Sequence, residues 1–133
     1  MFSERSRRLK NTVGRIKMIE SQVIAKSDKE TFLVETDGEY TILSLTDIGE
    51  LDIEDVLKHK NWDDYDDTFV RILNLTNEEK IDLAIENWGM NEEWAAYHFQ
   101  KIGSPSSFVF LKGYSKRFLP YMDVSPTNIK DVR

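Results

Sequence analysis

Apolar and polar residues alternate with a period of two along much of the chain between residues 12 and 88. This alternation predicts β-strands that bury one face and expose the other. The clearest pair spans residues 31–36 and 39–45, on either side of Asp37 and Gly38. An Asp-Gly pair readily adopts the positive φ angles of a two-residue turn, so these segments predict a β-hairpin.

Further strands are predicted on both sides of the hairpin. Residues 12–26 form one long strand or two, because the alternation changes phase around residues 20–22, as it does at a β-bulge. A short strand is expected near residues 55–59. Two longer ones are expected at 68–75 and 81–88, joined by a polar loop.

One helix is predicted at about residues 91–102. Asn91 is a suitable N-cap, acidic residues follow it in the first turn, and Gly103 can end the helix. Trp94, His98 and Ile102 recur on one side at helical spacing, with Ala95 and Phe99 adjacent, so we expect this stripe to lie across a sheet face or to plug a barrel end.

Six strands joined mostly by short turns, with one helix after them, predict a mainly β fold. The expected architecture is a small antiparallel meander or barrel, OB-like or SH3-like, with one packed C-terminal helix and a C-terminal extension. A curled sheet with the helix across one face is the alternative. Residues 1–11 are expected to form a basic flexible arm and residues 12–103 the barrel domain. Residues 104–133 form the extension, with a possible extra strand followed by a tail.

Composition narrows the class of protein. The chain has 133 residues, of which 40% are hydrophobic and 32% charged, and it contains no cysteine. These values are typical of one globular domain, and the lack of cysteine excludes disulfides and zinc–thiolate sites. Neither a secretory h-region nor an apolar run of membrane-spanning length is present, so we expect a cytoplasmic protein with no membrane partner.

Charge is distributed unevenly. Residues 1–17 carry a net charge of +5, residues 18–97 carry −15, and residues 98–133 carry +4. An acidic body with basic ends can be balanced within one molecule, between copies, or by a partner of opposite charge.

Motifs for catalysis are missing from the sequence. The two histidines, His59 and His98, are 39 residues apart, and neither has a second histidine at metal-ligand spacing. There is no phosphate-binding glycine loop and no nucleophile elbow. We therefore expect no enzyme, no catalytic residue, no cofactor and no metal, although a carboxylate pair distant in sequence could still form a site.

The densest group of polar and aromatic residues is the acidic loop, residues 61–67. Its candidate partner-binding residues are Trp62, Asp63, Asp64, Tyr65, Asp66 and Asp67. Three interpretations are open: a solvated loop whose aromatic rings pack on the barrel, a recognition surface for a basic partner, or a Ca²⁺ or Mg²⁺ site. The loop lacks the spacing and the glycine of an EF-hand.

The C-terminal extension is richer in aromatic residues than a solvated tail. Its candidate contact residues are Phe110, Tyr114, Phe118 and Tyr121. The segment either adds a strand to the barrel or docks on another protein, including a second copy of the chain. Together with the acidic loop, it makes a non-enzymatic protein-binding module the first hypothesis.

The alternative hypothesis is a nucleic-acid-binding, OB-like barrel. Its phosphate contacts would come from Arg5, Arg7, Arg8, Lys10, Arg15 and Lys17. Tyr40 would stack on a base. The acidic body would repel a polyanion everywhere except near the arm.

Overall fold

A computed structural model describes residues 17–47, 49–102 and 107–132 of the chain. Its first six strands are β1 (Ile19–Ser27), β2 (Thr31–Thr36), β3 (Glu39–Leu45), β4 (Val56–His59), β5 (Phe69–Asn74) and β6 (Glu79–Met90). Helix α1 (Glu92–Ile102) follows, and after it come β7 (Phe108–Leu111), α2 (Ser115–Phe118) and β8 (Ile129–Val132). Three 3₁₀ turns cover Trp62–Asp64, Leu119–Tyr121 and Pro126–Asn128.

The six strands before α1 close into an antiparallel barrel in the order β2-β3-β6-β5-β4-β1, and β1 pairs with β2 to complete the ring. The chain thus forms two three-stranded meanders, and the segment between β3 and β4 crosses from one to the other. The prediction of a small antiparallel barrel with a packed helix is confirmed. The β-bulge in β1 lies between Val23 and Ala25, slightly later than the change of phase suggested.

The hairpin of β2 and β3 follows the prediction. Asp37 and Gly38 have φ angles of 49° and 84°, and Thr36 pairs with Glu39 across the turn. The sign of both angles agrees with the two-residue turn expected from the Asp-Gly pair.

Two apolar clusters stabilise the fold. One fills the barrel with inward-facing side chains, including Val34, Leu43, Leu57 and Leu83. The other lies outside the barrel wall, where α1, β7 and α2 cover the outward side chains of β2 and β3. Its largest members are Leu33, Tyr40, Ile42, Phe99, Phe108, Phe110 and Phe118.

Helix α1 packs through only part of the predicted stripe. Ala95, Ala96 and Phe99 are buried, whereas the side chain of Trp94 is 56% exposed. The outer face of β2 and β3 already carries large side chains, and the two alanines let the helix approach that face closely enough for Phe99 to enter the core. Ala95, Phe99 and Ile102 of the predicted stripe therefore pack on the outer core, whereas the prediction was wrong for Trp94.

The C-terminal extension packs on its own chain. Strand β7 is antiparallel to the second half of β1, and Phe108 and Phe110 enter the outer core. Strand β8 runs parallel to β7, with Phe108 opposite Ile129, where the sequence suggested only a tail. The free edge of β7 supplies the hydrogen bonds that this last strand needs. No helix in the described part of the chain has the length and apolarity needed to cross a bilayer.

Candidate functional site

One end of the barrel opens into a cleft of about 660 Å³, which we call the acidic mouth. The turn between β1 and β2, the loop before β4 and the loop before β6 surround it. Five carboxylates line it: Asp28, Glu30, Glu50, Asp52 and Asp55. Phe32, Leu45 and Leu51 form an apolar floor. A concave surface that combines apolar floor with polar walls is the usual form of a binding site.

Buried polar contacts hold the loop before β4 in place. The amide nitrogen of Asn74, a fully buried residue, donates to the backbone carbonyl of Glu50 at 3.2 Å and to the Asp55 carboxylate at 2.9 Å. Gly49 has φ +109°, and a Cβ at this position would overlap the side chain of Ile81. The loop therefore fits closely against β6, and its carboxylates sit on a fixed backbone.

Negative charge in the mouth is only partly balanced. Lys26 Nζ lies 2.8 Å from Asp52 Oδ1, and this hydrogen bond lowers the pKa of the Asp52 carboxyl. Within residues 17–47, 49–102 and 107–132, the other four carboxylates of the mouth form no ion pair. An incoming cation would therefore meet uncompensated carboxylates beside an apolar floor.

Among the described residues, no group of three or more His, Asp or Glu side chains is arranged to hold a metal ion.

The opposite end of the barrel, which we call the closed end, contains a buried hydrogen-bond chain that the sequence analysis missed. His59 Nδ1 lies 2.6 Å from the Lys60 carbonyl oxygen, and His59 Nε2 lies 2.6 Å from Ser21 Oγ. Ser21 Oγ also contacts Thr36 Oγ1, which accepts from Trp62 Nε1 at 3.2 Å. A carbonyl can only accept, so Nδ1 carries the proton and the Ser21 hydroxyl donates to Nε2.

A serine bonded to a neutral histidine is also a nucleophile–base pair in many hydrolases. Here Ser21 and His59 are buried, and the Trp62 ring stacks on the His59 ring with centroids 3.8 Å apart. Burial lowers the pKa of His59, which favours its neutral form. Each donor in this series of hydrogen bonds meets an acceptor, so the buried polar side chains stabilise the closed end. The sequence pattern could have indicated this cluster, because Ser21, Thr36 and His59 each lie two positions from an inward-facing apolar residue. These neighbours are Val23, Val34 and Leu57.

The acidic loop lies across the closed end. Trp62 is only 5% exposed, and the Tyr65 hydroxyl accepts from the Lys60 backbone N–H at 2.9 Å. These two rings pack back on the barrel, as the first interpretation of the loop expected. The candidate carboxylates of the loop are exposed: Asp63, Asp64, Asp66 and Asp67.

The aromatic candidates of the extension are mostly internal. Phe110 and Phe118 are buried and stack with ring centroids 5.5 Å apart. Tyr114 is partly buried and donates its hydroxyl proton to Glu35 Oε1 at 2.7 Å. Burial and this carboxylate raise its pKa to about 12. Tyr121 alone of the four is exposed. The other three rings therefore serve the outer core.

The candidates for phosphate contact are divided between two parts of the chain. Arg5, Arg7, Arg8, Lys10 and Arg15 lie outside the described residues, and Lys17 is exposed.

Tyr40, the proposed stacking residue, is 2% exposed and donates to Glu92 Oε2 at 3.1 Å. Its ring packs edge-on against Phe118 in the outer core, so its faces are not available to a base.

Comparison of the chain with protein-family models, with curated protein sequences and with solved structures gave no match.

Proposed function

We propose that this chain is a non-enzymatic interaction module that binds a basic segment of another protein in the acidic mouth. The observation that carries the proposal is the cleft itself, in which five carboxylates surround an apolar floor. Lysine and arginine side chains have long aliphatic stems and charged ends. Their stems would pack on Leu45, the partly exposed residue of the floor, while their charged ends reach the carboxylates around it.

The mouth suits such a partner better than the acidic loop does. The loop carboxylates are exposed, and its two aromatic rings are turned inward against the barrel, where they offer no apolar surface beside the charges. Exposed ion pairs contribute little because water and salt screen them. A cleft with a partly apolar floor reduces that screening.

A matched pair of double variants tests this assignment. Glu30→Gln with Glu50→Gln removes two charges from the mouth, and Asp63→Asn with Asp66→Asn removes two from the acidic loop. The probe is a peptide in which lysine and leucine alternate, with a control peptide that carries glutamate in place of lysine. Binding is measured by fluorescence anisotropy, and the site is mapped by NMR chemical shifts.

The mouth variant should weaken binding of the lysine peptide by about fivefold or more, because two ion pairs are lost, each contributing up to about 1 kcal/mol. The loop variant should stay within about twofold of the original chain. Equal weakening by both variants would show that the peptide responds only to net charge, and this would refute the proposal.

A second candidate function, single-stranded nucleic-acid binding by an OB-like barrel, is favoured by a groove on the barrel wall. The groove has a volume of about 350 Å³ and is lined by Met18, Lys58, Tyr65, Arg71, Ile72, Leu73 and Lys80. Cations beside an aromatic ring are the usual elements of a strand-binding surface. Its Arg71 is already paired with Asp82 at 2.7 Å, which leaves Lys58 and Lys80 for phosphates.

Titration of the full chain with oligothymidine at low salt tests this candidate. Replacing both Lys58 and Lys80 with alanine should weaken the binding and reduce its dependence on salt concentration. Absence of salt-sensitive binding by the unmodified chain would exclude the candidate.

A further inference from the structure

The outward face of α1 carries a cluster of aromatic rings. Trp94 and Tyr97 are 56% and 49% exposed, and their rings meet edge to face with centroids 6.0 Å apart. The His98 ring stacks on Trp94 at 5.8 Å, and Lys101 Nζ lies 5.6 Å from the centre of the Tyr97 ring. Spacings of three, four and seven residues place all four side chains on one face. The cluster is therefore an ordered apolar surface on a regular helix.

This face has opposite charges at its two ends. Glu93 is exposed in the first turn and Lys101 is exposed in the last. The neighbouring Glu92 is directed towards the barrel, because its carboxylate accepts the Tyr40 hydroxyl proton. A second helix of the same sequence would place opposite charges together only if it ran antiparallel, and the helix dipoles would then also be opposed.

We propose that this face binds a second copy of the chain, with the two α1 helices antiparallel and a two-fold axis near Tyr97. Position 97 is midway between Glu93 and Lys101, so each Glu93 then faces the Lys101 of the other copy. An interface of this kind uses the same patch twice, which is the commonest arrangement in homodimers. Trp and Tyr are also the residue types that contribute most at interface centres.

The 3₁₀ turn Leu119–Tyr121 extends the surface. Gln100 on α1 donates to the Tyr121 backbone carbonyl at 3.2 Å, which holds the turn beside the helix. Leu119 and Tyr121 are both exposed there. An 11-residue helix with this flank is a small surface beside the roughly 800 Å² per partner of a standard interface, so we expect a weak dimer that forms at high protein concentration.

Exchanging the charges of Glu93 and Lys101 tests the proposed two-fold contact. The fraction of dimer is measured by sedimentation velocity at up to about 1 mM protein. Glu93→Lys and Lys101→Glu each create two like-charged contacts, so each variant alone should weaken the dimer by about tenfold. The double variant should restore it. An equimolar mixture of the two single variants should form heterodimers, because every charged contact is then complementary.

Aromatic variants provide the control. Trp94→Ala should abolish the dimer, whereas Trp88→Ala should leave it intact, since Trp88 is 48% exposed but lies on β6. A monomeric chain at about 1 mM, failure of the double variant to restore the dimer, or equal effects of the two tryptophan variants would overturn the proposal. The mouth residues take no part in this face, so the peptide experiment and the sedimentation experiment can fail independently.

Discussion

Acidification from about pH 7.5 to about pH 5.5 is expected to destabilise the fold through His59. Burial lowers the pKa of this ring in the folded chain from its ordinary value of 6.5, and the hydrogen bond that the ring donates to the Lys60 carbonyl opposes the shift only partly. Protonation would place a hydrogen on Nε2, which now accepts the Ser21 hydroxyl proton. The unfolded chain therefore binds the proton more readily than the folded chain does.

The sign and size of this change in stability follow from the linkage between proton binding and folding. Stability from His59 is complete above pH 6.5 and is lost as the pH falls below this value, until the folded ring also titrates. If the folded chain takes up no proton in this range, the free energy of unfolding drops by about 1.4 kcal/mol between about pH 7.5 and about pH 5.5. The pKa of Asp52 is lowered below 3.8, so its contribution changes only at more acidic pH.

Urea unfolding at several pH values measures this loss in the original chain and in two variants. His59→Gln removes the titrating group, and its free energy of unfolding should lack the decline between about pH 7.5 and about pH 5.5. His98→Gln, on the exposed side of α1, should retain the decline. Parallel curves for the original chain and the His59→Gln variant would refute the role assigned to the buried ring.

Three further predictions concern stability. Trp62→Ala should lower the free energy of unfolding by about 3–5 kcal/mol in urea, because it removes a buried ring that stacks on His59 and bonds to Thr36. Gly49→Ala should destabilise more than Gly38→Ala in thermal melts: both glycines have positive φ, but a Cβ at 49 meets Ile81 and one at 38 meets open space. Tyr114→Phe should cost about 1 kcal/mol in urea through loss of the bond to Glu35, and it should remove a phenol that titrates near pH 12 in absorbance.

The sequence predicted those features of the fold that are determined by residues close together along the chain. Asp37 and Gly38 define the hairpin because their backbone preferences are local, and the alternation in β6 reflects burial of Ile81, Leu83 and Ile85. Strand pairing across the ring is different. Residues 51–54 alternate apolar and acidic side chains as a strand would, yet they lie in the loop before β4. Nothing along the chain indicates that β4 pairs with β1 instead of β3.

The closed end and the packed face of α1 depended on contacts between distant residues. Ser21 and His59 are 38 residues apart, and they meet only because Ile19 pairs with His59 in the register of β1 and β4. On α1, hydrophobicity favoured burial of Trp94, whereas the space above β2 and β3 admitted Ala95 and Phe99. The hydrogen bond between Ser21 and His59 and the packed face of α1 both result from the three-dimensional packing of the elements.

Strand β1 pairs with β2, with β4 and with β7. Its hydrogen bonds are therefore complete only after strands from most of the chain have been synthesised. During synthesis, the ring of six strands can close once Met90 has left the ribosome. The apolar outer face around Leu33 and Tyr40 is fully covered only after Phe108 and Phe118 have emerged as well. A nascent chain that stalled after Met90 and before Phe118 would therefore contain a closed barrel with an exposed apolar face. Chaperones would be needed most in this state.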